Sequence, residues 1–418
     1  MKIRPKELYA YILGLTSTFY VVMIGNIHLF QLIAIAGLII FRIKKFHLDR
    51  TYLAYFLIMM VSIFVNYNNG YGKSMISALF VELILLLLYM QFSSFDNKLL
   101  RCFIVGLKWS CIVEIIWCIM QYILYYLWKI DINQVIFVDT LGLVSTASRY
   151  RYSSGVRSLV VTGLCWHPSN MIPVLVLTLS FFNSWYVWLI CIFIGVAMHS
   201  STAVVAIIFV LVVKLYLKLR YNPNLTKMTK GKLISIGIGL VVVCTAVVST
   251  NIVEVALDRV TTLFMRISGA TNDLATIAHT SYYTLLPEVF KNSSFAQILF
   301  GYGLACSGFA ITMLNGQYSH VGMWSVETDY MNQIYGLGIL GAVIFYVWLM
   351  KIFKDRTNRH TIIQIMLPIL IAGVTYNILY YWVVFFVMVI MICNRKKIDL
   401  ESLINGTEDG RIMNGRKE

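Results

Sequence analysis

The chain is organised around a polar stretch that begins NIVEVALDRVTTLFMRI at Asn251 and continues to Trp324. Over these roughly seventy residues no apolar run is long enough to cross a bilayer, whereas apolar runs dominate the sequence on both sides. A membrane protein that keeps a long polar loop between its helices usually uses that loop. We therefore expect the rest of the chain to build a platform for it.

The composition indicates a polytopic membrane protein. Of the 418 residues, 59% are hydrophobic and 13% are charged, whereas soluble domains are about half apolar and about one quarter charged. The basic start at Met1–Glu7 is followed by an apolar run without a small-residue cleavage site. We expect that run to remain as a helix and not to be removed as a signal peptide.

The net charge of +15 reports membrane orientation. Of the 34 Lys and Arg residues, 25 lie in six clusters: Lys2–Lys6, Arg42–Arg50, Lys98–Arg101, Lys214–Lys232, Lys351–Arg359 and Arg395–Lys417. Basic residues concentrate in the cytoplasmic loops of membrane proteins. This pattern predicts that both termini are cytoplasmic, and it accounts for the charge without a nucleic-acid partner.

Twelve apolar segments are candidates for spanning helices. They are Leu8–Ile24, Ile27–Phe41, Thr51–Asn66, Met75–Phe92, Cys102–Leu127, Ser169–Phe182, Trp185–His199, Ser201–Leu217, Leu233–Thr250, Glu327–Met350, Thr361–Tyr376 and Ile378–Cys393. With the basic clusters inside, the two long polar stretches both fall outside. The predicted fold class is an all-α polytopic membrane protein with about twelve transmembrane helices.

The predicted topology divides the chain into six parts. These are membrane helices 1–5 (residues 1–127), a first extracytoplasmic loop (128–166), membrane helices 6–9 (167–250), a large and partly helical extracytoplasmic loop (251–326), membrane helices 10–12 (327–393) and a cytoplasmic tail (394–418). The eight cysteines form no CxxC pair and no cluster with histidine. We therefore expect no metal site and no cofactor.

The first outer loop carries three arginines within nine residues, at Arg149, Arg151 and Arg157. Arginine binds phosphate through a planar fork of donors, and outer positive charge opposes the orientation rule, so Arg157 is the preferred candidate for binding an anion. The alternative is that these arginines pair with lipid phosphates or with Asp131 and Asp139.

His167 directly precedes Pro168 at the start of a predicted span. Proline suits the first turn of a helix, so the histidine is expected near a helix N-terminus, where anions are favoured. The equally weighted alternative is a histidine that bonds only a loop carbonyl.

The large loop supplies a second set of candidates. Arg259 and Arg266 are seven residues apart and share one face of an amphipathic helix expected on the outer interface. His279 and Tyr283 lie four apart on a second loop helix. The alternative is a plain interfacial helix whose arginines reach lipid headgroups.

Two carboxylates, Glu327 and Asp329, open the tenth predicted span. At the bilayer boundary Glu327 could act as a general base, and His320 is the other base nearest in sequence. The alternative is that the carboxylates only complement the helix dipole.

Several motifs together resemble the Wzy-type O-antigen and capsule polymerases and their relatives, the O-antigen ligases. The motifs are Arg157…Gly163…His167-Pro168-Ser169-Asn170, His199-Ser200-Ser201-Thr202, Phe300-Gly301-Tyr302-Gly303 and Glu327–Gly341. The ligases usually have His-Asn where this chain has Glu327-Thr328, and an arginine where this chain has His279. These departures favour a polymerase over a ligase.

The resemblance implies a glycosyltransferase-C-like membrane enzyme of the bacterial cytoplasmic (inner) membrane. It would join undecaprenyl-diphosphate-linked oligosaccharide repeat units into O-antigen or capsular polysaccharide at the outer face of that membrane. Its partners would be these lipid-linked oligosaccharides and membrane lipids, with a chain-length regulator and a flippase as candidate protein partners. No nucleic acid is expected.

The same resemblance assigns roles to the candidate residues. The substrate and diphosphate contacts fall to Arg157, His167, Arg259, Arg266 and His279, and the base is Glu327 or His320. Two alternatives stay open, an O-antigen ligase and, in a different class, a lipid-linked oligosaccharide flippase. A flippase needs internal repeats and charges inside its spans, and here the acids inside the predicted spans, away from their ends, are few, Glu82 and Glu114.

The predicted orientation can be tested by labelling single cysteines in a cysteine-free background with an impermeant thiol reagent. In intact cells Ser293→Cys should be labelled, because it lies in the large outer loop, and Asn222→Cys should not. The reverse pattern would show that the orientation is inverted.

Overall fold

The computed structural model describes residues 4–24, 27–40, 48–66, 72–153, 156–221, 281–303, 306–312, 314, 326–355, 358–379 and 381–394. Most of these residues are helical. The helices are α1 (Pro5–Thr16), α2 (Leu29–Ile40), α3 (Arg50–Asn66), α4 (Gly72–Ser93), α5 (Asn97–Trp128), α6 (Pro168–Phe181), α7 (Trp185–Ala197), α8 (Ser201–Tyr221), α9 (Leu286–Asn292), α10 (Phe295–Phe300), α11 (Phe309–Thr312), α12 (Asp329–Met350), α13 (Arg359–Ala372) and α14 (Trp382–Asn394).

Two antiparallel β-hairpins join some of these helices. Strand β1 (Met23–Ile24) pairs with β2 (Ile27–His28), and β3 (Arg149–Ser153) pairs with β4 (Val156–Val160). A π-helix at Gln134–Thr140 precedes the second hairpin. The all-α prediction was therefore incomplete, because the sequence signals for these short strands lie inside segments interpreted as a span or as a loop.

The predicted helices are otherwise found close to their expected places. Eleven of the twelve predicted segments fall on described residues, and each overlaps a helix; the remaining one, Leu233–Thr250, lies outside the described residues. Within the described part, Asn97–Trp128 and Asp329–Lys354 are long and apolar enough to cross a membrane, and the other apolar helices are shorter. Twelve spans therefore stay a prediction.

Helix α6 lies at the centre of the fold. All its residues are buried, as is typical of a helix that is apolar on every face. It packs against α5, α7, α8 and α13, and the hydroxyls of Thr178 and Ser180 donate to the carbonyls of Val174 and Val176 one turn earlier. Because His167 immediately precedes α6, this histidine is anchored to a helix that is buried along its whole length.

Helices α1 and α5 pack with their backbones in direct contact. A Cβ atom at Gly14 would lie 2.2 Å from the carbonyl oxygen of Phe103, and one at Gly106 would lie 2.1 Å from that of Tyr11. Glycines at such positions let two helices approach more closely than larger residues allow. This contact fixes the start of the chain on α5, the longest of the described helices.

The turn at Gly301 packs against a break in α12 at Gly338. Both glycines have backbone angles that are essentially restricted to glycine, with φ 72° and ψ −168° at Gly301 and φ 69° and ψ −176° at Gly338. The break frees the carbonyl of Gly336, which accepts from the Gly303 N–H at 2.8 Å. Asn66 of α3 completes the contact by donating to the Gly301 carbonyl at 2.8 Å.

We predict that Gly338→Ala and Gly301→Ala strongly destabilise the protein. A Cβ at Gly338 would lie 2.3 Å from the carbonyl oxygen of Leu299, so the strained backbone angles and a backbone clash add together. The control is Gly142→Ala, since Gly142 has φ 59° but nothing within 4 Å of an added Cβ. The control should cost only about 1–2 kcal/mol, and thermal unfolding in detergent measures the difference. Equal losses in all three variants would contradict the packing argument.

Candidate functional site

A cavity of about 970 Å³ lies where distant parts of the chain meet at the N-terminal end of α6. Its wall comprises Tyr20, Val21, Met23, His28, Gly142, Leu143, Val144, Ser145, Thr146, Arg149, Trp166, His167, Ser169, Asn170, Glu327, Tyr376, Asn377, Tyr381 and Trp382. Two residues singled out in the sequence, His167 and Glu327, therefore line the same space. The sequence separates them by more than one hundred and fifty positions.

His167 is the N-cap of α6, as its place before Pro168 predicts. Its Nδ1 accepts from the Ser169 backbone N–H at 3.2 Å, so the proton of a neutral ring sits on Nε2. Burial, and then the nearby Arg149 guanidinium, lower the pKa of His167 to about 3. At neutral pH the ring is therefore an uncharged hydrogen-bond donor, and the positive charge beside it belongs to Arg149.

Arg149 lines the cavity, whereas Arg157 does not. The register of the second hairpin explains the difference. Arg149 lies opposite Val160, while Tyr152 lies opposite Arg157; because side chains alternate along a strand, Arg149 and Arg157 occupy opposite faces. The Arg157 guanidinium instead stacks on the Tyr150 ring, 3.5 Å from its centroid.

The loop before this hairpin is held by Asp131. Its carboxylate accepts from the Ser148 hydroxyl at 2.7 Å, from the Asn133 backbone N–H at 3.2 Å and from the Tyr150 hydroxyl. The sequence left open that Asp131 pairs with an outer arginine. In the structure it binds polar groups of its own loop, so it shapes the loop that delivers Arg149.

Trp166 joins Arg149 to the start of α6. The Arg149 guanidinium lies 4.9 Å from the centroid of the Trp166 ring, a distance typical of a cation–π contact. Trp166 also has a φ of 63°, which is unusual for a bulky residue. Strained backbone of this kind clusters at functional sites, and here it directs an aromatic side chain to the cavity.

Glu327 is exposed and lines the cavity, and it is not the cap of α12. The cap is Thr328, whose hydroxyl accepts from the Met331 N–H at 3.3 Å. Glu327 directly precedes this cap, so the alternative that it complements the helix dipole stays open. Its carboxylate is accessible to a molecule in the cavity.

Asp329 has a structural role. It is fully buried, and its Oδ1 accepts from the backbone N–H groups of Ile378 and Leu379 at 2.9 and 3.0 Å. Its own N–H donates to the Gly373 carbonyl at 2.9 Å. These bonds position the segment between α13 and α14, which supplies part of the cavity wall.

Tyrosines connect the remaining walls. The Ser169 and Tyr381 hydroxyls are 2.5 Å apart, and the Tyr381 ring contacts the Tyr20 ring with centroids 5.8 Å apart. The Tyr20 hydroxyl accepts from the Trp382 N–H at 2.9 Å. The start of α6, the start of α14 and the N-terminal hairpin are thus held together around the cavity.

The other predicted site residues, Arg259, Arg266, His279 and His320, lie outside the described residues. Their roles stay predictions. Sequence analysis missed His28, which gives no motif because it stands alone between two apolar runs. It named Arg149 but preferred Arg157, since the register that separates them is not visible in the sequence.

No protein-family model matches the chain, and no curated protein or solved structure matches it significantly. The resemblance to the polymerases therefore rests on the sequence motifs alone.

The lowered pKa of His167 predicts a pH-dependent contribution to stability. The unfolded chain takes up a proton on this residue near pH 6.5, but the folded protein does so only near pH 3, so stability falls as the pH drops through that window. His167→Gln should remove this contribution, which is at most about 1.4 kcal/mol per pH unit. Melting temperatures between pH 7 and pH 4 check it.

The matched control for this measurement is His360→Gln, which changes a histidine at the start of α13. It tests whether the change in pH dependence is specific to His167. If His167→Gln follows the wild-type pH dependence, the imidazole of His167 is not buried as the structure shows.

Proposed function

We propose that this protein is a polymerase of the outer face of the bacterial cytoplasmic membrane. It joins undecaprenyl-diphosphate-linked oligosaccharide repeat units into O-antigen or capsular polysaccharide. The observation that carries the proposal is the convergence of Arg149, His167 and Glu327 on one cavity. Two of these residues, His167 and Glu327, lie in the motifs Arg157–Asn170 and Glu327–Gly341, which resemble this family.

The size of the cavity fits substrates of this kind. Pockets for small molecules typically measure about 300–1,000 Å³, and the volume of about 970 Å³ is at the upper end of that range. The wall mixes aromatic rings such as Trp166 and Trp382 with amides such as Asn170. Sugars present both apolar faces and hydroxyl groups, so a mixed wall is suited to them.

The charges match the two halves of the reaction. The lipid diphosphate leaves with negative charge, and donors aimed at developing charge lower the barrier. Arg149 supplies a guanidinium, and neutral His167 supplies an N–H. The Glu327 carboxylate can accept hydrogen bonds from the hydroxyl groups of the incoming sugar and orient the acceptor.

The membrane part of the proposal rests on the hydropathy of the chain. Two described helices are long and apolar enough to cross a bilayer, and the basic clusters predict cytoplasmic termini with the cavity on the outer side. A lipid-linked substrate would then reach the cavity from the outer leaflet. The multi-pass topology with about twelve spans belongs to this proposal.

A comparison of two arginines on one hairpin tests the proposal. Arg149→Ala should lower polymer formation about 100-fold or more, because it removes a charge at the leaving diphosphate. Arg149→Lys should retain part of the activity, since lysine keeps the charge but not the fork. Arg157→Ala is the matched control on the opposite face and should stay near the wild-type level.

The substrate for the assay is the lipid-linked repeat unit, extracted from deletion cells that lack this protein. The purified protein is added, and gels report the polymer ladder. If Arg157→Ala loses activity and Arg149→Ala keeps it, the diphosphate does not bind in this cavity. In the deletion cells, retention of single-unit product supports a polymerase. Accumulation of lipid-linked polymer without surface glycan would instead indicate a ligase.

A further inference from the structure

His28 is a second histidine of the cavity, and no sequence motif marks it. It ends strand β2, between α1 and α2 and outside both helices. Its backbone N–H donates to the buried side-chain oxygen of Gln31 at 2.8 Å. The hairpin therefore holds the imidazole at the cavity wall with little freedom.

The contacts of the ring determine which nitrogen carries the proton. Nδ1 of His28 lies 2.9 Å from the Tyr20 carbonyl oxygen. A carbonyl can only accept, so Nδ1 is the donor and the lone pair of the neutral ring is on Nε2. Burial lowers the pKa of His28, which keeps the ring neutral at physiological pH.

The two cavity histidines are thus opposite tautomers. His167 accepts at Nδ1 from the Ser169 N–H, which leaves it an Nε2–H donor, whereas His28 donates at Nδ1 and has an Nε2 acceptor. Both assignments are imposed by backbone groups. One ring is suited to a developing anion, and the other is suited to receiving a proton.

We propose that His28 is the catalytic base that accepts the proton of the attacking sugar hydroxyl. This inference rests on the proposed polymerase function and replaces Glu327 as the proton acceptor. The neutral ring, held by the Tyr20 carbonyl with its lone pair on Nε2, provides the proton acceptor that a general base needs. Glu327 is exposed, and it retains the role of orienting the acceptor.

The reaction step is balanced as follows. The hydroxyl oxygen forms a bond to the anomeric carbon of the growing chain, and its proton passes to Nε2 of His28. The bond between that carbon and the diphosphate oxygen breaks, and its electron pair leaves on the diphosphate beside Arg149. His28 then releases the proton to water.

Other groups of the cavity also influence the titration of His28. The titratable and charged side chains that line the same space are Tyr20, Arg149, His167, Glu327, Tyr376 and Tyr381. Tyrosines stay protonated in the range of interest and arginine stays charged. Glu327 is the other side chain among them whose protonation could produce an acidic limb, and the variant Glu327→Gln separates its contribution from that of His28.

The test measures polymer formation against pH for the wild type, His28→Gln and Glu327→Gln, with the extracted lipid-linked repeat unit. His28→Gln should lower kcat about 100-fold or more with little change in KM. It should also abolish the acidic limb of the pH profile, which Glu327→Gln should retain. Added imidazole should partly restore His28→Ala, because the truncation leaves room in the cavity, whereas a merely structural role would give no rescue.

The outcomes separate the two proposals. A wild-type protein that forms no polymer overturns the proposed function, and the role of His28 falls with it. A wild type that is active while His28→Gln is equally active, with the acidic limb intact, overturns the role of His28 alone. A third outcome is that His28→Gln loses activity, that its melting temperature matches the wild type, and that imidazole does not rescue His28→Ala. His28 would then be a positioning residue, which also overturns the inference.

Discussion

The buried carboxylate of Asp329 is the interaction on which the architecture around the cavity depends. It accepts hydrogen bonds from the backbone N–H groups of Ile378 and Leu379, in the segment between α13 and α14. A buried carboxylate without partners is very costly, so these bonds make its burial possible. They also give acceptors to the N–H groups of a stretch of chain that is not helical. Together with the bond from its backbone N–H to the Gly373 carbonyl, this one residue holds α12, α13 and α14 at a common end.

The cavity is built from segments that are far apart in sequence, and backbone groups set most of its polar geometry. Tyr20 receives the N–H of Trp382, His28 donates to the Tyr20 carbonyl, and His167 receives the N–H of Ser169. Main-chain positions vary less than side-chain rotamers. The site is therefore preorganised, which is the condition under which fixed dipoles and donors stabilise developing charge.

The sequence predicted the helices well and the site only in part. Long apolar runs such as Cys102–Leu127 coincide with helices because lipid and core both demand apolar residues. His167 and Glu327 were chosen as candidates because proline and a helix start mark their places, and both line the cavity. The placement of Arg149 and Arg157 on opposite faces depends on the pairing register of β3 and β4. The tautomer of His28 depends on the Tyr20 carbonyl, eight residues away. Neither follows from composition or spacing, so both required the three-dimensional arrangement.

The contact between Gly301 and Gly338 joins two main chains directly, with hydrogen bonds from Tyr302 and Gly303 to the carbonyls of Tyr335 and Gly336. Apart from the side chains of Asn66 and Ser62, which donate to the Gly301 and Gly336 carbonyls, this junction uses main-chain groups. Related proteins could exchange nearly every neighbouring residue and still keep it, provided that both glycines remain together. A paired glycine signature, and not overall similarity, is thus the trace by which distant relatives of this fold would be recognised.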